Sequence, residues 1–394
     1  MATTGTAQAS SASSSRIESI DMVRGIAILL MIMGHTYDYL SYEAAAVMGA
    51  ASPLPLAMLN VNVTTASVFF NRWITHSGAP AFLYLAGVGA YLWEYKGGVR
   101  RKLTEFLIPR GLLLIGLQAV RVVSQLIAPN HQSSLDVLWC IGVSMILLAL
   151  VAHVSRGVLF CFSVVILAGY GLPAAFGMTG HDSLLWQLLA SSPNFDFIGG
   201  TSLFNRFPIL PWFGMMLLGY ATGHLFTLSS TERQRICLTS AMTLGALFIV
   251  LRILHVDGYQ PGWFAYPEAW QTVASFLNIL KYPPSLYFSI ATFCQIFALI
   301  FLMDVYALRS ELILRFGSAS LFIYILHIPV CKMFARGASA LSNILGWPVP
   351  REMLFSLPSV YVLASLALVG MYPLVVFYAN LKRTHRHIKV LSYL

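Results

Sequence analysis

Arg24 and His35 are separated by ten mostly apolar residues in RGIAILLMIMGH, so a permanent cation and a titratable imidazole share one apolar segment. Ionisable side chains in a membrane helix are costly to bury and indicate function. At a rise of about 1.5 Å per residue, Arg24 and His35 lie about 16 Å apart along the axis. One helical stripe holds Asp21, Arg24, Ile28, Met31, His35, Asp38 and Tyr42. This face predicts an anion-binding end and a proton-transfer end.

Two further histidines lie in other apolar segments. His76 follows Arg72 by four residues and precedes Pro80 by four. Because Pro80 lacks the N–H that would bond the carbonyl of His76, the sequence predicts a kink beside this imidazole. His327 lies shortly before Pro329 in SLFIYILHIP, near the middle of its span. Three separate segments therefore bring an imidazole to the central or outer membrane.

We interpret these imidazoles as groups for proton transfer. His35 and His76 are the candidate catalytic bases, and Asp38 is placed to orient His35 and to stabilise its charged form. The alternative is that His35 is a core histidine that donates to Asp38 or to a carbonyl. Arg24 likewise has an alternative role, because it can snorkel to the interface or pair with Asp21. No convincing zinc-ligand spacing accompanies the histidines, so we expect no metal.

Three residues at the outer ends of two spans are candidates for binding a substrate, namely Arg72, Arg206 and Trp212. A guanidinium group such as that of Arg206 can hold an anionic or sugar substrate. Further along the same segment, Gly219 and Gly223 follow the small-xxx-small pattern, which we interpret as close helix packing.

The chain as a whole has the composition of an integral membrane protein. It has 394 residues, 58% hydrophobic and 10% charged, with a mean hydropathy of +0.74, whereas a soluble domain carries about 25% charged residues. We predict an all-α polytopic fold of about ten transmembrane helices, each about 20 residues long, rather than an outer-membrane barrel. The predicted spans are Ile20–Tyr42, Val68–Trp93, Phe106–Ile127, Leu135–Val154, Val158–Phe176, Pro208–Phe226, Ile236–Leu254, Pro284–Leu308, Phe316–Ala335 and Met353–Leu381.

The net charge of +9 comes from basic residues whose distribution along the chain indicates the membrane topology. Most Lys and Arg residues fall in ends and loops on the same side as the N-terminus, so the positive-inside rule places both termini in the cytoplasm. This asymmetry explains the basicity without a nucleic-acid partner. Basic residues at the inner surface are candidates for binding the phosphates of a cofactor, namely Arg24, Arg100, Arg101, Lys102 and Arg110.

The chain divides simply. Residues 1–15 carry no charge and few large apolar side chains, which predicts a disordered tail. Residues 16–394 form one predicted transmembrane domain without internal repeats. The five cysteines stand singly in apolar runs and behave as small hydrophobic residues.

Four segments together resemble a known family. SIDMVRGIAILLMIMGHTYDYL, FFNRWITHSGAPAFLYLAGVGAYLW, PILPWFGMMLLGYATGHL and LFIYILHIP follow in this order between Arg16 and Pro329. They resemble the bacterial relatives of lysosomal heparan-alpha-glucosaminide N-acetyltransferase, in the transmembrane acyltransferase superfamily. The chain is also similar to acyltransferase-3 proteins, whose first helix carries a basic residue, ten further residues and a histidine, as Arg24 and His35 do.

The resemblance implies a membrane acyltransferase in the cytoplasmic membrane of a bacterium. It implies that an acyl group, acetyl in the first instance, passes from cytoplasmic acyl-CoA to a hydroxyl or amine of a sugar or glycan acceptor on the far side. Arg24 would lie near the CoA and His35 near the acceptor, with His327 on the cofactor side, placing the thioester. A homodimer would be in keeping with membrane acyltransferases of this sort.

One departure from the family affects the catalytic base. The lysosomal enzyme has asparagine at the position of His35, and its proposed catalytic histidine lies in the loop after the first helix. This chain has no histidine between Thr36 and Thr75. The role therefore falls to His35 or His76, and both direct transfer and a ping-pong scheme through an acyl-histidine stay open.

Two other classes of protein fit the same buried groups. A proton-coupled transporter of a small solute is the alternative function, because buried His, Arg and Asp also build proton relays. Against it, the sequence shows neither the paired broken helices nor the internal repeat common in secondary carriers. A sensory or scaffold membrane protein without chemistry is the third possibility.

Overall fold

The computed structural model describes residues 18–48, 61–62, 64–96, 100–126, 132–169, 184–191, 194–197, 201–256, 262–344, 356–385 and 387. The predicted disordered tail, residues 1–15, lies outside these ranges. We call the end of the bundle where the first helix begins, at Glu18, the proximal end. The end toward which that helix runs, past His35 and Asp38, is the distal end.

Helices make up most of the described chain. They are α1 Glu18–Met48, α2 Ala66–Thr75, α3 Gly78–Glu94, α4 Leu103–Leu126, α5 Val137–Val151, α6 Arg156–Gly169, α7 Leu184–Ala190, α8 Ile209–Ala221, α9 Ser230–Ile253, α10 Ala269–Leu277, α11 Leu286–Val305, α12 Glu311–Ser318, α13 Ser320–Ile344 and α14 Leu357–Thr384, with a 3₁₀ turn at Gly223–Thr227. The predicted all-α class is confirmed in this broad sense.

Seven helices are long and apolar enough to cross a membrane. They correspond to seven of the predicted spans, those containing α1, α4, α8, α9, α11, α13 and α14. Two more predicted spans contain the shorter apolar helices α5 and α6, of 15 and 14 residues. The chain is therefore an integral membrane protein, while the count of ten spans and the cytoplasmic placement of both termini stay predictions.

The one remaining predicted span, Val68–Trp93, is divided into α2 and α3. The amide of His76 still donates to the carbonyl of Arg72, at 3.1 Å, but α2 ends at Thr75 and α3 starts at Gly78. Pro80 lies in the first turn of α3, where its missing N–H costs little. At the kink predicted beside His76, the helix is interrupted over two residues, His76 and Ser77, whose backbone angles stay helical.

A small three-stranded sheet, which the sequence did not predict, lies between helices at the distal end. Its strands are β1 Gln132–Leu135, β2 Asn194–Phe197 and β3 Thr201–Asn205, in the order β1-β3-β2. β1 and β3 are parallel and pair Leu135 with Asn205. The residues that follow these two, Asp136 and Arg206, are thereby brought side by side.

Glycines allow a close helix crossing between α3 and α8. A Cβ added to Gly219 would lie 2.0 Å from the carbonyl oxygen of Tyr84, and one added to Gly87 would lie 2.0 Å from that of Met216. A Cβ on Gly223 would meet the side chain of Tyr91 at 2.5 Å. The packing role predicted for Gly219 and Gly223 is confirmed, because no larger residue fits between these backbones.

Gly219→Ala should therefore destabilise the protein by about 1–3 kcal/mol, the usual cost of inserting a methyl group where there is no space. Thermal unfolding in detergent measures the effect. Gly116→Ala is the matched control, because a Cβ there would meet nothing within 4 Å. Equal stability of the Gly219 variant and the control would contradict this account of the α3–α8 crossing.

Candidate functional site

α1 and α13 run side by side in the same direction. The hydroxyl of Thr36 lies 3.5 Å from the sulfur of Cys331, and the ammonium group of Lys332 lies 5.3 Å from the ring centroid of Tyr39. This packing brings two of the three predicted imidazoles together. The ring centroids of His35 and His327 are 5.1 Å apart.

His35 and Asp38 form the accessible part of the site. Nδ1 of His35 lies 3.3 Å from Oδ2 of Asp38, and their side chains are 32% and 40% exposed. The contact is the one expected for a carboxylate that orients an imidazole, and it equally fits the structural alternative of a histidine that donates to Asp38. Both side chains are partly exposed, in contrast to the imidazole of His327 on α13.

His327 is enclosed. Its residue is 0% exposed, and Nδ1 donates to the carbonyl oxygen of Tyr324, one turn earlier on α13, at 2.5 Å. Its Nε2 has no hydrogen-bond partner among the residues that the structure describes. Because an unpaired buried polar atom is costly, this nitrogen is a candidate for contact with a substrate.

His76 is level with His35 along α1 but faces another part of the bundle. A Cβ on Gly34, next to His35, would lie 3.6 Å from Thr75, so α1 and the end of α2 are level there. The buried ring of His76 packs against Phe288 of α11, with centroids 5.9 Å apart. His35 and His327 therefore form the pair, and His76 lies on a separate side of α1.

The three predicted substrate-binding residues have different surroundings. Arg72, half-buried on α2, interacts electrostatically with Asp38. Arg206 lies 3.7 Å from a carboxylate oxygen of Asp136 and is partly exposed. Trp212 is 0% exposed and packs against Phe207, with ring centroids 4.8 Å apart. The first two interact with carboxylates at the distal end, whereas Trp212 belongs to the core, where it supports the helix that follows Arg206.

Two charged residues of the distal end were missed by the sequence analysis. Nη2 of Arg121, in the last turns of α4, lies 2.7 Å from Oδ2 of Asp136, which also accepts from the hydroxyl of Ser134 at 2.9 Å. The rule that ionisable groups in apolar segments indicate function would have selected Arg121. Its pairing partner could not have been identified, because the packing of α4 beside β1 brings Arg121 to Asp136.

At the proximal end, Arg24 has the neighbours that one alternative predicted and a further one. Nη1 lies 3.5 Å from Oδ1 of Asp21, and Nη2 donates to the carbonyl oxygen of Leu85 at 3.0 Å. Arg110 of α4 is close enough for its charge to be repelled by that of Arg24. Nε of Arg110 is buried and has no hydrogen-bond partner in the described parts of the chain. Two adjacent guanidinium groups of this kind suit an anion.

Arginines and aromatic rings alternate from the proximal surface toward Arg110. The guanidinium of Arg101 lies 5.6 Å from the ring centroid of Trp93, which stacks on Phe106 at 4.6 Å. The guanidinium of Arg110 lies 5.7 Å from the ring of Phe106 on α4. This row extends the predicted basic cluster into the bundle. Lys102 is exposed just before α4.

Arg100 has a structural partner. Its Nε donates to Oε1 of Glu94 at 2.7 Å and its Nη2 to the carbonyl oxygen of Ala152 at 3.2 Å. The hydrogen bond and the charge of Glu94 raise the pKa of Arg100 above its usual value. Glu94, which is buried, also accepts from the hydroxyl of Tyr220. These bonds anchor the segment before Arg101, so Arg100 contributes to the basic cluster mainly through its position.

Within the described ranges, no three His, Cys, Asp or Glu side chains come together as metal ligands. The expectation that the site works without a metal stays a prediction from the sequence.

Asp136→Asn should lower the free energy of unfolding by about 1–3 kcal/mol, because it weakens charge-assisted bonds to Arg121 and Ser134 at a buried carboxylate. Unfolding in detergent measures this change. The matched control is Glu18→Gln, whose carboxylate lies 3.4 Å from Arg309 in a pair that is 52% and 65% exposed. Such a surface pair contributes less than about 1 kcal/mol. Equal losses in the two variants would show that Asp136 does not hold the distal end together.

Comparison with known proteins bears on the whole site. The family model described as heparan-alpha-glucosaminide N-acetyltransferase, catalytic, matches residues 16–253. No individually curated protein matches the chain. The matched region contains Arg24, His35, His76 and Arg110, whereas His327 lies beyond it. Because the match spans more than half of the residues, the chain belongs to the heparan-alpha-glucosaminide N-acetyltransferase catalytic family.

Proposed function

We propose that this protein transfers an acetyl or other acyl group from acyl-CoA, bound at the proximal end, to a hydroxyl or amine of a sugar or glycan at the distal end. The observation that carries the proposal is that the two ends of α1 lie beside different chemical groups. One end of this helix holds Arg24 beside Arg110, and the other holds His35 beside Asp38 and His327. Family membership supports the transfer of an acetyl group and an acceptor of the glycan class.

The proximal residues fit the donor substrate. CoA carries phosphates, which guanidinium groups bind through charge-assisted hydrogen bonds. Nε of Arg110, buried and without a partner in the part of the chain described, is an available donor beside Arg24. Arg101 and Lys102 are exposed at the mouth of this region and are placed to meet the donor first. His327, between this region and His35, is on the side where the thioester would end.

The distal residues fit the acceptor and the proton transfer. The ring of His35 would remove the proton from the acceptor hydroxyl or amine as that group attacks the thioester carbonyl. Asp38 would hold the ring through Nδ1 and stabilise the imidazolium. Arg72 and Arg206, at the same end, would bind hydroxyl or anionic groups of the acceptor. A base in this position contributes about 10² to 10⁴ in rate.

The positive-inside rule supports a cytoplasmic donor and an extracytoplasmic acceptor, because it assigns the proximal end to the cytoplasm. Location in the cytoplasmic membrane of a bacterium, a single domain over residues 16–394 and a homodimeric state are part of the same proposal.

Acyl-CoA should raise the stability of the purified protein in detergent, by about 2.7 kcal/mol at one hundred times its dissociation constant. Replacing Arg24 and Arg101 together by Gln should reduce this shift, because both cations face the proposed phosphate site. Arg235→Gln is the control, since Arg235 is exposed on the first turns of α9, outside that site. A full shift in the Arg24 and Arg101 variant would place the donor elsewhere.

His35→Ala should lower single-turnover acyl transfer by at least about a hundredfold, the low end expected for losing a general base. Acyl-CoA binding should hardly change, because the ring lies about 16 Å from Arg24 along the helix. His76→Ala should cost less, since its ring faces Phe288, and His224→Ala, in the 3₁₀ turn after α8, is a control without loss. If His76→Ala loses at least about a hundredfold and His35→Ala loses less, His76 is the general base instead of His35. Wild-type protein that binds acyl-CoA without releasing CoA would favour the transporter.

A further inference from the structure

The contacts around His35 and His327 assign a proton to one nitrogen of each ring. Nδ1 of His35 faces Oδ2 of Asp38 at 3.3 Å, and Nδ1 of His327 faces the carbonyl oxygen of Tyr324 at 2.5 Å. A carbonyl only accepts hydrogen bonds, so Nδ1 is the donor in His327, and at His35 the negative charge of Asp38 favours the proton on the nitrogen that faces it, Nδ1. In the neutral form, Nε2 of each ring therefore carries the lone pair. Two basic nitrogens belong to rings whose centroids are 5.1 Å apart.

The two rings also differ in depth. Thr36 contacts Cys331, which sets the two helices in register at that level. His35 precedes Thr36 by one residue, whereas His327 precedes Cys331 by four. Tyr39 contacts Lys332 in the same way. At about 1.5 Å per residue, these two contacts place His327 about 1.5–4.5 Å nearer the proximal end than His35. His35 is thus on the acceptor side of the pair, and His327 is on the donor side.

The two histidine side chains also differ in how far they are exposed. The side chain of His35 is 32% exposed, whereas His327 is 0% exposed. Nε2 of His327 finds no hydrogen-bond partner in the ranges described. The fixed bond at Nδ1 leaves Nε2 as the nitrogen through which this ring can exchange a proton, and His35 is the neighbouring ring that could supply one.

We propose that His35 and His327 form a two-histidine proton relay, in which His35 takes the proton of the acceptor and His327 delivers it to the departing thiolate of CoA. This inference rests on the acyl-transfer function proposed above. The acceptor oxygen or nitrogen forms its bond to the acyl carbon as its proton moves to Nε2 of His35. The carbon–sulfur bond then breaks, and the electron pair of that bond leaves with the sulfur. The proton passes from His35 to Nε2 of His327 and from there to the thiolate, so each ring ends neutral.

The relay makes His327 a catalytic residue rather than a group that only places the thioester. His327→Asn and His327→Gln separate these roles. The amide of Asn occupies the position of Nδ1 and can keep the donation to Tyr324, but it supplies no base at Nε2. His327→Asn should therefore bind acyl-CoA as the wild type does, unfold at the same temperature, and lose at least about a hundredfold in single-turnover transfer. His327→Gln loses the Nδ1 bond and should also be less stable.

Coupling between the two rings tests the relay directly. Residues that act as one unit give losses that do not multiply. The double variant His35→Asn with His327→Asn should therefore transfer no more slowly than the slower single variant. His224→Asn, combined with His35→Asn, is the matched control and should add no loss. Multiplied losses in the double variant, or normal transfer by His327→Asn, would overturn the relay.

A spectroscopic measurement separates the relay from the transferase proposal. Nitrogen NMR of histidine-labelled full-length protein should show, through the signals lost in His35→Asn and His327→Asn, a protonated Nδ1 and an unprotonated Nε2 in both rings. A protonated Nε2 on neutral His327 would overturn the relay even in an active enzyme. If the wild type binds no acyl-CoA and transfers nothing, the transferase proposal fails, and the relay fails with it whatever the tautomers.

Discussion

The close packing of α1 against α12 and α13 is the constraint on which the site depends. A Cβ on Gly25 would lie 2.2 Å from the carbonyl oxygen of Ile313, and one on Gly317 would lie 1.9 Å from that of Asp21. The backbones therefore meet without intervening side chains and allow little sliding. This contact at the proximal end sets the register of two parallel helices, and three turns further on it places His35 beside His327.

The two ends of α1 have opposite chemical surroundings because different helices cover them. At the proximal end, α3 and α4 bring the carbonyl of Leu85 and the guanidinium of Arg110 to Arg24. At the distal end, α13 supplies a buried imidazole, and Asp38 stays half exposed. The adjacent guanidinium groups and the partly exposed imidazole are thus held at opposite ends of one apolar helix, as the proposed transfer requires.

The irregular elements of the fold belong to the distal end. The interruption at His76 and Ser77 separates the short α2, whose Arg72 interacts electrostatically with Asp38, from α3. The small sheet carries Asp136 and Arg206 to one place and links them to Arg121 of α4. Non-helical backbone at the end of a membrane bundle is stable only where its polar groups are paired, and the β1–β3 ladder provides that pairing.

The sequence by itself determined the features that depend on local composition. Apolar length predicted the spans, Pro80 predicted the interruption beside His76, and the three- and four-residue spacing predicted that Arg24 and His35 share a face. Its resemblance to a family is likewise confirmed. These are properties of one helix or one segment at a time, and hydrophobicity and backbone hydrogen bonding decide them locally.

Which residues meet across helices was decided only by the tertiary structure. Three histidines at similar depths predicted convergence, but helix rotation turns His76 toward Phe288, while the register of α13 brings His327 to His35. Asp136 meets Arg121 through the packing of β1 against α4, and the pairing of β1 with β3 brings Arg206, far away in the chain, to the same carboxylate. Side-chain direction depends on how whole helices rotate and slide to fill the core, and periodicity within one helix carries no information about its neighbours.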